Sequence, residues 1–395
     1  MNARTYAFSR MPQWSAMQRS TERILTTHVG SLARPHPLLE LMRAQVVGQP
    51  YDKDAFDRLA REAVADVVKR QAECGIDVVS DGEQSKAGFY GYVSERLTGL
   101  EIDDVGVPDR AVAKEELEQF PEYYKQYLGG KAETMVRNPP LVCTGPITYR
   151  GQALVQTDID NLEAALAGVE VAEAFMPALA PRALGRNQYY ASGEEFLYAI
   201  GEAMRTEYQA IVDAGFVLQI DDPWLTALYH NDPFGIGPQQ HVDVLNHALR
   251  GIPPERIRYH TCYGINEGPR IHDVPLRDLL DLLFQINAQA ISFEAINARH
   301  LHEWHVWEEV KLPPDRVLIP GMISHASNIV EHPILIADML VTYANLVGRE
   351  NVIAGADCGF SSTATFQPEI DPKVVWAKFQ ALAEGARLAS QRIWG

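Results

Sequence analysis

The stretch Arg258-Tyr259-His260-Thr261-Cys262-Tyr263-Gly264 reads as a short strand that runs into a glycine loop, with two soft metal ligands, His260 and Cys262, at its end. Residues two apart on a strand share a face, with Cα atoms roughly 6.6 Å apart, so both side chains can reach one tetrahedral zinc. Two more candidate ligands stand in similar contexts: Glu294 ends Ala290-Ile291-Ser292-Phe293-Glu294, and Cys358 follows Asn351-Val352-Ile353-Ala354-Gly355-Ala356-Asp357. Mixed imidazole and thiolate ligation suits zinc better than magnesium or calcium, and one carboxylate brings the set to four. A lone His-x-Cys reads more readily as packing, because free cysteines behave as small core hydrophobes and histidines are often hydrogen-bonded inside. The second cysteine and the glutamate, each at a predicted strand end, turn the reading toward a metal. A structural zinc would more often recruit paired Cys-x-x-Cys knuckles than single residues from distant strand ends.

These residues must be positioned by a repeated strand and helix. Short β-branched or apolar runs, each ending in glycine or polar groups, fall near 24–29, 78–81, 171–177, 217–221, 257–261, 290–294, 316–322 and 351–356. Most are followed by segments of helical spacing, at 54–74, about 161–169, 194–214, 240–250, 276–286 and 333–346. Eight such units predict an α/β fold, a (β/α)8 TIM barrel, whose catalytic groups gather where strands end and loops begin. Ser31, Glu83, Asp221, His260, Cys262, Glu294, His325 and Cys358 all fall at such ends. The domain reading is an N-terminal arm over 1–22 and one barrel over 23–395, with an insertion at about 89–147 after the second strand. The insertion is acidic and Tyr-rich, partly helical, and ends in an extended segment, Leu141–Thr144, that need not belong to the barrel. His300, His302 and His305 with Trp304 and Trp307 read as a helix with a packed aromatic face rather than a second metal site.

The bulk properties narrow the partners. With 395 residues, 46% hydrophobic and 22% charged, the chain can bury a large core, and its net charge of −17 disfavours nucleic acid and anionic membrane surfaces. Four scattered cysteines argue for a reducing, cytoplasmic setting over a disulfide framework. No apolar run approaches a membrane span. The expected partners are small molecules, with a homo-oligomer left open.

Taken together, Thr26-Thr27-His28-Val29-Gly30-Ser31, Ser80-Asp81-Gly82-Glu83-Gln84, Leu218-Gln219-Ile220-Asp221-Asp222-Pro223, His260-Thr261-Cys262, Phe293-Glu294 and Asp357-Cys358-Gly359 resemble the catalytic domain of cobalamin-independent methionine synthase. The runs Cys262–Pro269 and Phe293–His300 are similar to its shorter relatives, including epoxyalkane:coenzyme M transferases. The resemblance covers about residues 22–390. It implies a TIM barrel and a Zn2+ cofactor bound through His260, Cys262, Glu294 and Cys358. It also implies that Ser31, Glu83 and Asp221 hold the amino-acid acceptor. Two departures stand out. The duplicated N-terminal barrel of the long synthases is absent, so the resemblance does not carry over their folate platform. Their Asp-x-His-Ser proton-donor segment is replaced by Gly321-Met322-Ile323-Ser324-His325-Ala326-Ser327, in which His325 fits the histidine but no aspartate adjoins it.

The implied chemistry is alkyl transfer to sulfur. A free thiol has a pKa of about 8.5, and coordination to zinc deprotonates it. The family suggests that Glu294 yields its place to the incoming thiol, while His325 is placed to protonate the leaving group. The partners are then a small-molecule thiol of the homocysteine type and an alkyl donor. An epoxide-opening transferase using coenzyme M is the alternative, with Arg182 or Lys86 as candidate sulfonate partners. A zinc barrel that only binds is a third reading.

Overall fold

The computed structural model describes residues 16–89, 91–103, 114–131, 134–136, 139–230, 232, 235–264 and 268–395. Most of the predicted arm, parts of the predicted insertion, and Ile265–Glu267 of the Cys262–Pro269 run therefore lie outside the described residues. Nine strands are defined among those described: β1 Val78–Val79, β2 Leu100–Ile102, β3 Leu141–Cys143, β4 Glu173–Leu179, β5 Arg186–Asn187, β6 Val217–Asp221, β7 Ile257–His260, β8 Ala290–Phe293 and β9 Val317–Pro320.

Six of them form one parallel sheet in the order β1-β4-β6-β7-β8-β9. Two of the eight expected strands are reduced to single parallel bridges. Thr27 pairs with Val78 and Thr26 with Ala354 at one side, while Val352 pairs with Leu318 and Gly355 with Gly321 at the other. The segment around Thr26 lacks a longer ladder because its polar groups are engaged sideways. Asp77 accepts from the Thr26 amide and hydroxyl, and the hydroxyl also donates to Gly75 O.

Side-chain alternation sorts the sheet residues into two faces. Leu218, Ile220, Tyr259, Ile291, Phe293 and Leu318 join the main core beneath the surrounding helices. The opposite face carries the chemistry in layers. Its floor is the cluster Phe175, Val217, Ala290 and Val317, which Met17 covers from the N-terminal side. Gln219, Arg258 and Ser292 come next, and Asp221 and His260 end their strands as register partners. The chain around Met17 is fastened there by Met17 N to Glu255 O at 2.8 Å and by the Ser20 hydroxyl to Val352 O at 2.6 Å.

The helix expected over 161–169 runs instead over Gln152–Leu166. Its polar residues Asp158 and Asn161 are buried, which breaks the apolar periodicity that locates a helix. Asp158 is buried because it shares Arg96 with Glu207, and Tyr92 and Tyr149 also donate to Glu207. This network ties the segment after β1 to the helices Gln152–Leu166 and Gly193–Asp213. Leu141–Cys143 lies outside the main sheet: β3 pairs antiparallel with β2 and parallel with β5. The histidine-rich run forms a 3-10 turn, Leu301–His305, and a short helix, Val306–Glu309, with His300 and Trp307 buried and His302 and His305 exposed.

Candidate metal centre

His260, Cys262 and Cys358 come together with their ligand atoms within 4.8 Å of one another, all three residues buried. Cys262 and Cys358 Sγ are 3.3 Å apart. His260 Nδ1 lies 3.0 Å from the Ser292 hydroxyl, whereas its Nε2 is buried with no hydrogen-bond partner. An orphaned imidazole nitrogen facing two thiols is what a soft cation requires, so the residues fit zinc. Burial, with Arg258 and His325 nearby, lowers the His260 pKa to about 3, so the ring is neutral and has a lone pair to give. The hydrogen bond to Cys262 and burial hold the Cys358 thiol well above its ordinary pKa, the state expected of a thiol pair without a cation.

Glu294 stands beside this set and faces another partner. It groups with His325 and Asp357, again within 4.8 Å. Both of its oxygens are occupied: Tyr263 N donates to Oε1 at 3.0 Å, and Arg270 Nη2 and Asn297 Nδ2 donate to Oε2 at 2.8 Å each. Arg270 is silent in the sequence, and its only local signal is the Gly268-Pro269 turn before it. The structure also supplies the carboxylate that His325 lacks in sequence. Asp357, from the segment carrying Cys358, approaches from the neighbouring strand end, its amide bonded to Ile323 O. Asp357 itself is fixed by the amides of Ala295, Ile296 and Asn297. The backbone of Gly321 makes room for it, since a Cβ there would sit 2.1 Å from Asp357 Oδ1. Burial and Arg270 lower the His325 pKa to about 4, and its Nε2 lies 3.3 Å from Gly264 O. A buried ion pair of Lys378 with Glu331, whose carboxylate also accepts from Ser324 N, pins the His325 loop.

Ser31, Glu83 and Asp221 form the second part of the site. Gly359, next to Cys358, packs so tightly on Ser31 that a Cβ would lie 2.1 Å from its hydroxyl. The Ser31 hydroxyl also accepts from Ser361 N at 3.4 Å. Glu83 is buried, with φ 55°, and its backbone N–H donates to Asp81 Oδ1 at 2.9 Å. Its Oε2 is 3.8 Å from Arg34 Nη2 and has no hydrogen-bond partner. Asp221 accepts from Gln219 Nε2 at 2.7 Å. Burial raises the pKa of both acids, and the charge of Glu83 raises that of Asp221 further. The charges of Lys86, Arg34 and Arg258 offset this in part.

Of the candidate sulfonate partners, Lys86 is buried with Nζ 2.7 Å from Pro177 O and 4.4 Å above the Tyr92 ring. Arg182 lies 3.7 Å over Trp224. A cleft beside His325 is lined by Met135, Phe360, Thr363, Thr365 and Gln367 and holds about 400 Å³ including its opening to solvent.

Comparison with known proteins agrees with the motifs. Residues 24–110 match the family model described as cobalamin-independent synthase, catalytic domain. A methionine synthase of Sulfurisphaera tokodaii is 22% identical over 382 residues, 93% of each chain, and one of Saccharolobus islandicus is 21% identical over 378 residues, 93% of this chain and 95% of its own. Among solved structures, a B12-independent methionine synthase from Shewanella sp. W3-18-1, in complex with selenomethionine, superposes with a TM-score of 0.69 at 19% identity, covering 94% of this chain and 99% of its own. A putative vitamin-B12 independent methionine synthase from Listeria monocytogenes gives 0.62 at 19% identity over the same shares. The resemblance read from the motifs thus agrees with these matches: over most of its length the chain is similar to B12-independent methionine synthases in sequence and in fold. No helix among the described residues is long and apolar enough to cross a membrane.

Proposed function

We propose that the chain is a zinc-dependent alkyltransferase that moves a methyl or small alkyl group onto the sulfur of a homocysteine-type thiol. The observation that carries the reading is the neutral His260 with its free Nε2 facing Cys262 and Cys358, beside the buried acids Glu83 and Asp221. We read the six-stranded sheet and its flanking bridges as a (β/α)8 barrel over 23–395, with the insertion after its second strand and the site at its mouth.

His260, Cys262 and Cys358 would hold the metal, with Glu294 as a fourth group. Zinc, when bound, supplies a thiol as thiolate at neutral pH. Ser292 fixes the His260 ring through Nδ1 and so directs Nε2 to the metal position. Glu83 and Asp221 receive the ammonium group of the acceptor, which relieves the repulsion between them. Ser31 and the Ser361 amide lie next to Gly359 to take its carboxylate. His325 is neutral at pH 7 and becomes a proton donor only by taking a proton up with the substrates, a gain that the adjacent Asp357 favours. A reducing cytoplasm keeps Cys262 and Cys358 as thiols.

The coenzyme M alternative needs a cation for a sulfonate. Lys86 lies among Glu83, Asp81 and Asp221, whose acidity suits an ammonium group better. Metal analysis with parallel thermal-shift titrations of homocysteine and coenzyme M tests the proposal. Cys262→Ser and Cys358→Ser are expected to lose both zinc and transfer activity. Full activity in zinc-free protein would refute it. X-ray absorption showing no added sulfur with either thiol would favour a zinc barrel that only binds.

A further inference from the structure

Arg270 contacts Glu294 alone among the four candidate ligands, and it does so at the end of a chain of groups that are buried except for the half-buried Asp273. Its Nε pairs with Asp273 Oδ2 at 2.8 Å and its Nη2 with Glu294 Oε2 at 2.8 Å. Asp273 Oδ2 also meets His300 Nε2 at 3.1 Å, and His300 Nδ1 meets Glu303 Oε2 at 2.8 Å. The His300 ring is stacked on Tyr263, centroids 4.2 Å apart, and Tyr263 N donates to the other oxygen of Glu294. Arg270 is itself a non-glycine residue at φ 54°, a conformation that costs energy and persists only where its surroundings insist on it. The guanidinium fork spanning two carboxylates is thus built in place rather than recruited from the surface.

From this geometry we infer that Arg270 is a positioning residue that competes with the metal for Glu294, giving the carboxylate a second resting place when a thiol takes its coordination position. The inference rests on the zinc reading above. Glu294 in this arrangement is fully hydrogen-bonded and nearly without solvent exposure, so leaving the metal exposes no unsatisfied charge. The exchange also conserves charge at the metal. A thiol that lost its proton to solvent would arrive as one anion while the Glu294 carboxylate left as another, and Arg270 would meet the departing charge instead of letting it accumulate beside the sulfur.

Competition and simple support predict opposite signs. If Arg270 competes, Arg270→Gln binds zinc on the order of 10-fold tighter and homocysteine on the order of 10-fold weaker, the worth of a charge-assisted hydrogen bond. If it merely orients Glu294 as a ligand, the same variant binds zinc roughly 10–100-fold more weakly, which would overturn the inference. Zinc affinity is read by chelator competition on the purified full-length protein in four forms: wild type, Arg270→Gln, Glu294→Gln and the double variant. In the Glu294→Gln background the Arg270 effect must vanish. An effect that persists there comes from long-range charge and also overturns the inference. Arg270→Lys keeps the charge and loses the fork, and is expected to shift both affinities in the same directions by less, which covers the case of an unfolded Arg270→Gln. Wild type without zinc affinity removes both this inference and the functional reading. Wild type that binds zinc but ignores homocysteine removes only the acceptor assignment, and the zinc arm still decides the role of Arg270.

Discussion

Glu83→Gln separates a residue kept for function from one kept for fold, because the two measurements should move in opposite directions. The Glu83 carboxylate is buried with Oε2 unpartnered, next to Asp221, and burial raises its pKa. A buried polar atom without a partner costs about 1–3 kcal/mol, and a charged one more. For an acid whose folded pKa lies above its unfolded value, stability is full below the unfolded pKa and falls as pH rises through the folded one. A neutral amide at this position carries no such charge penalty at pH 7, so the substitution is expected to stabilise the apo protein by roughly 1 kcal/mol or more, increasingly at higher pH. The same change removes a charge-assisted contact to an incoming ammonium, worth about 1.5–3 kcal/mol, or on the order of 10–150-fold in acceptor affinity. Urea midpoints at pH 6 and 8 and homocysteine titrations of the zinc-loaded protein read the two effects. A variant that is less stable yet binds homocysteine as before would refute both the electrostatic argument and the assignment of Glu83 to the acceptor.

Ser292→Ala removes the partner of His260 Nδ1 and is expected to weaken zinc binding roughly 10–100-fold in chelator competition with little change in fold stability; unchanged affinity would show that the ring is held by packing alone. Glu173 is fully buried with its pKa raised to about 8, against Gln18 N as its hydrogen-bond donor, so the native protein should lose stability between pH 4.5 and 8, by up to about 5 kcal/mol. Glu173→Gln should flatten that slope, and parallel pH profiles for the two proteins would contradict it. Arg96→Met strands Asp158 and Glu207 as buried carboxylates and should cost about 3–5 kcal/mol in urea unfolding, an expectation that a midpoint near that of the native protein would remove.

The parts of the site that can be read from the sequence are those whose residue types are unusual where they stand. A histidine and a cysteine two apart at a strand end, with a second cysteine at another strand end, point to a metal together as none of them does alone, and all three meet in space. The fold is legible for a related reason: β6 to β9 are short runs buried on both faces, as strands of a covered parallel sheet are, with their polar residues confined to the face that carries the site. What escapes is set by distance along the chain. The segments at Thr26 and Val352 read as strands, yet each holds only bridges; at Thr26 the amide is taken by Asp77, 51 residues away, instead of by a neighbouring strand. Apolar spacing puts the helix Gln152–Leu166 too late because Asp158 and Asn161 look like surface residues until Arg96, 62 positions earlier, is seen beside Asp158.

The controlling partners of the metal ligands escape for a further reason. Ser292, Arg270 and Asp357 are ordinary residues in sequence, and each acquires its role only through a contact made by closing the sheet: Ser292 through register with His260, Asp357 through the space left by Gly321, Arg270 through a left-handed turn. A search for an aspartate adjoining His325 in sequence fails for that reason, since the carboxylate arrives from the segment that carries Cys358. A ligand must offer a particular atom, so its residue type is constrained and visible. The group that steers a ligand needs only to donate or accept in the right place, and many residue types can do so. The choice of metal proposed for the site is therefore written in four side chains, while the behaviour proposed for it, how firmly Glu294 is held and when His325 carries a proton, is written in contacts that only the fold creates.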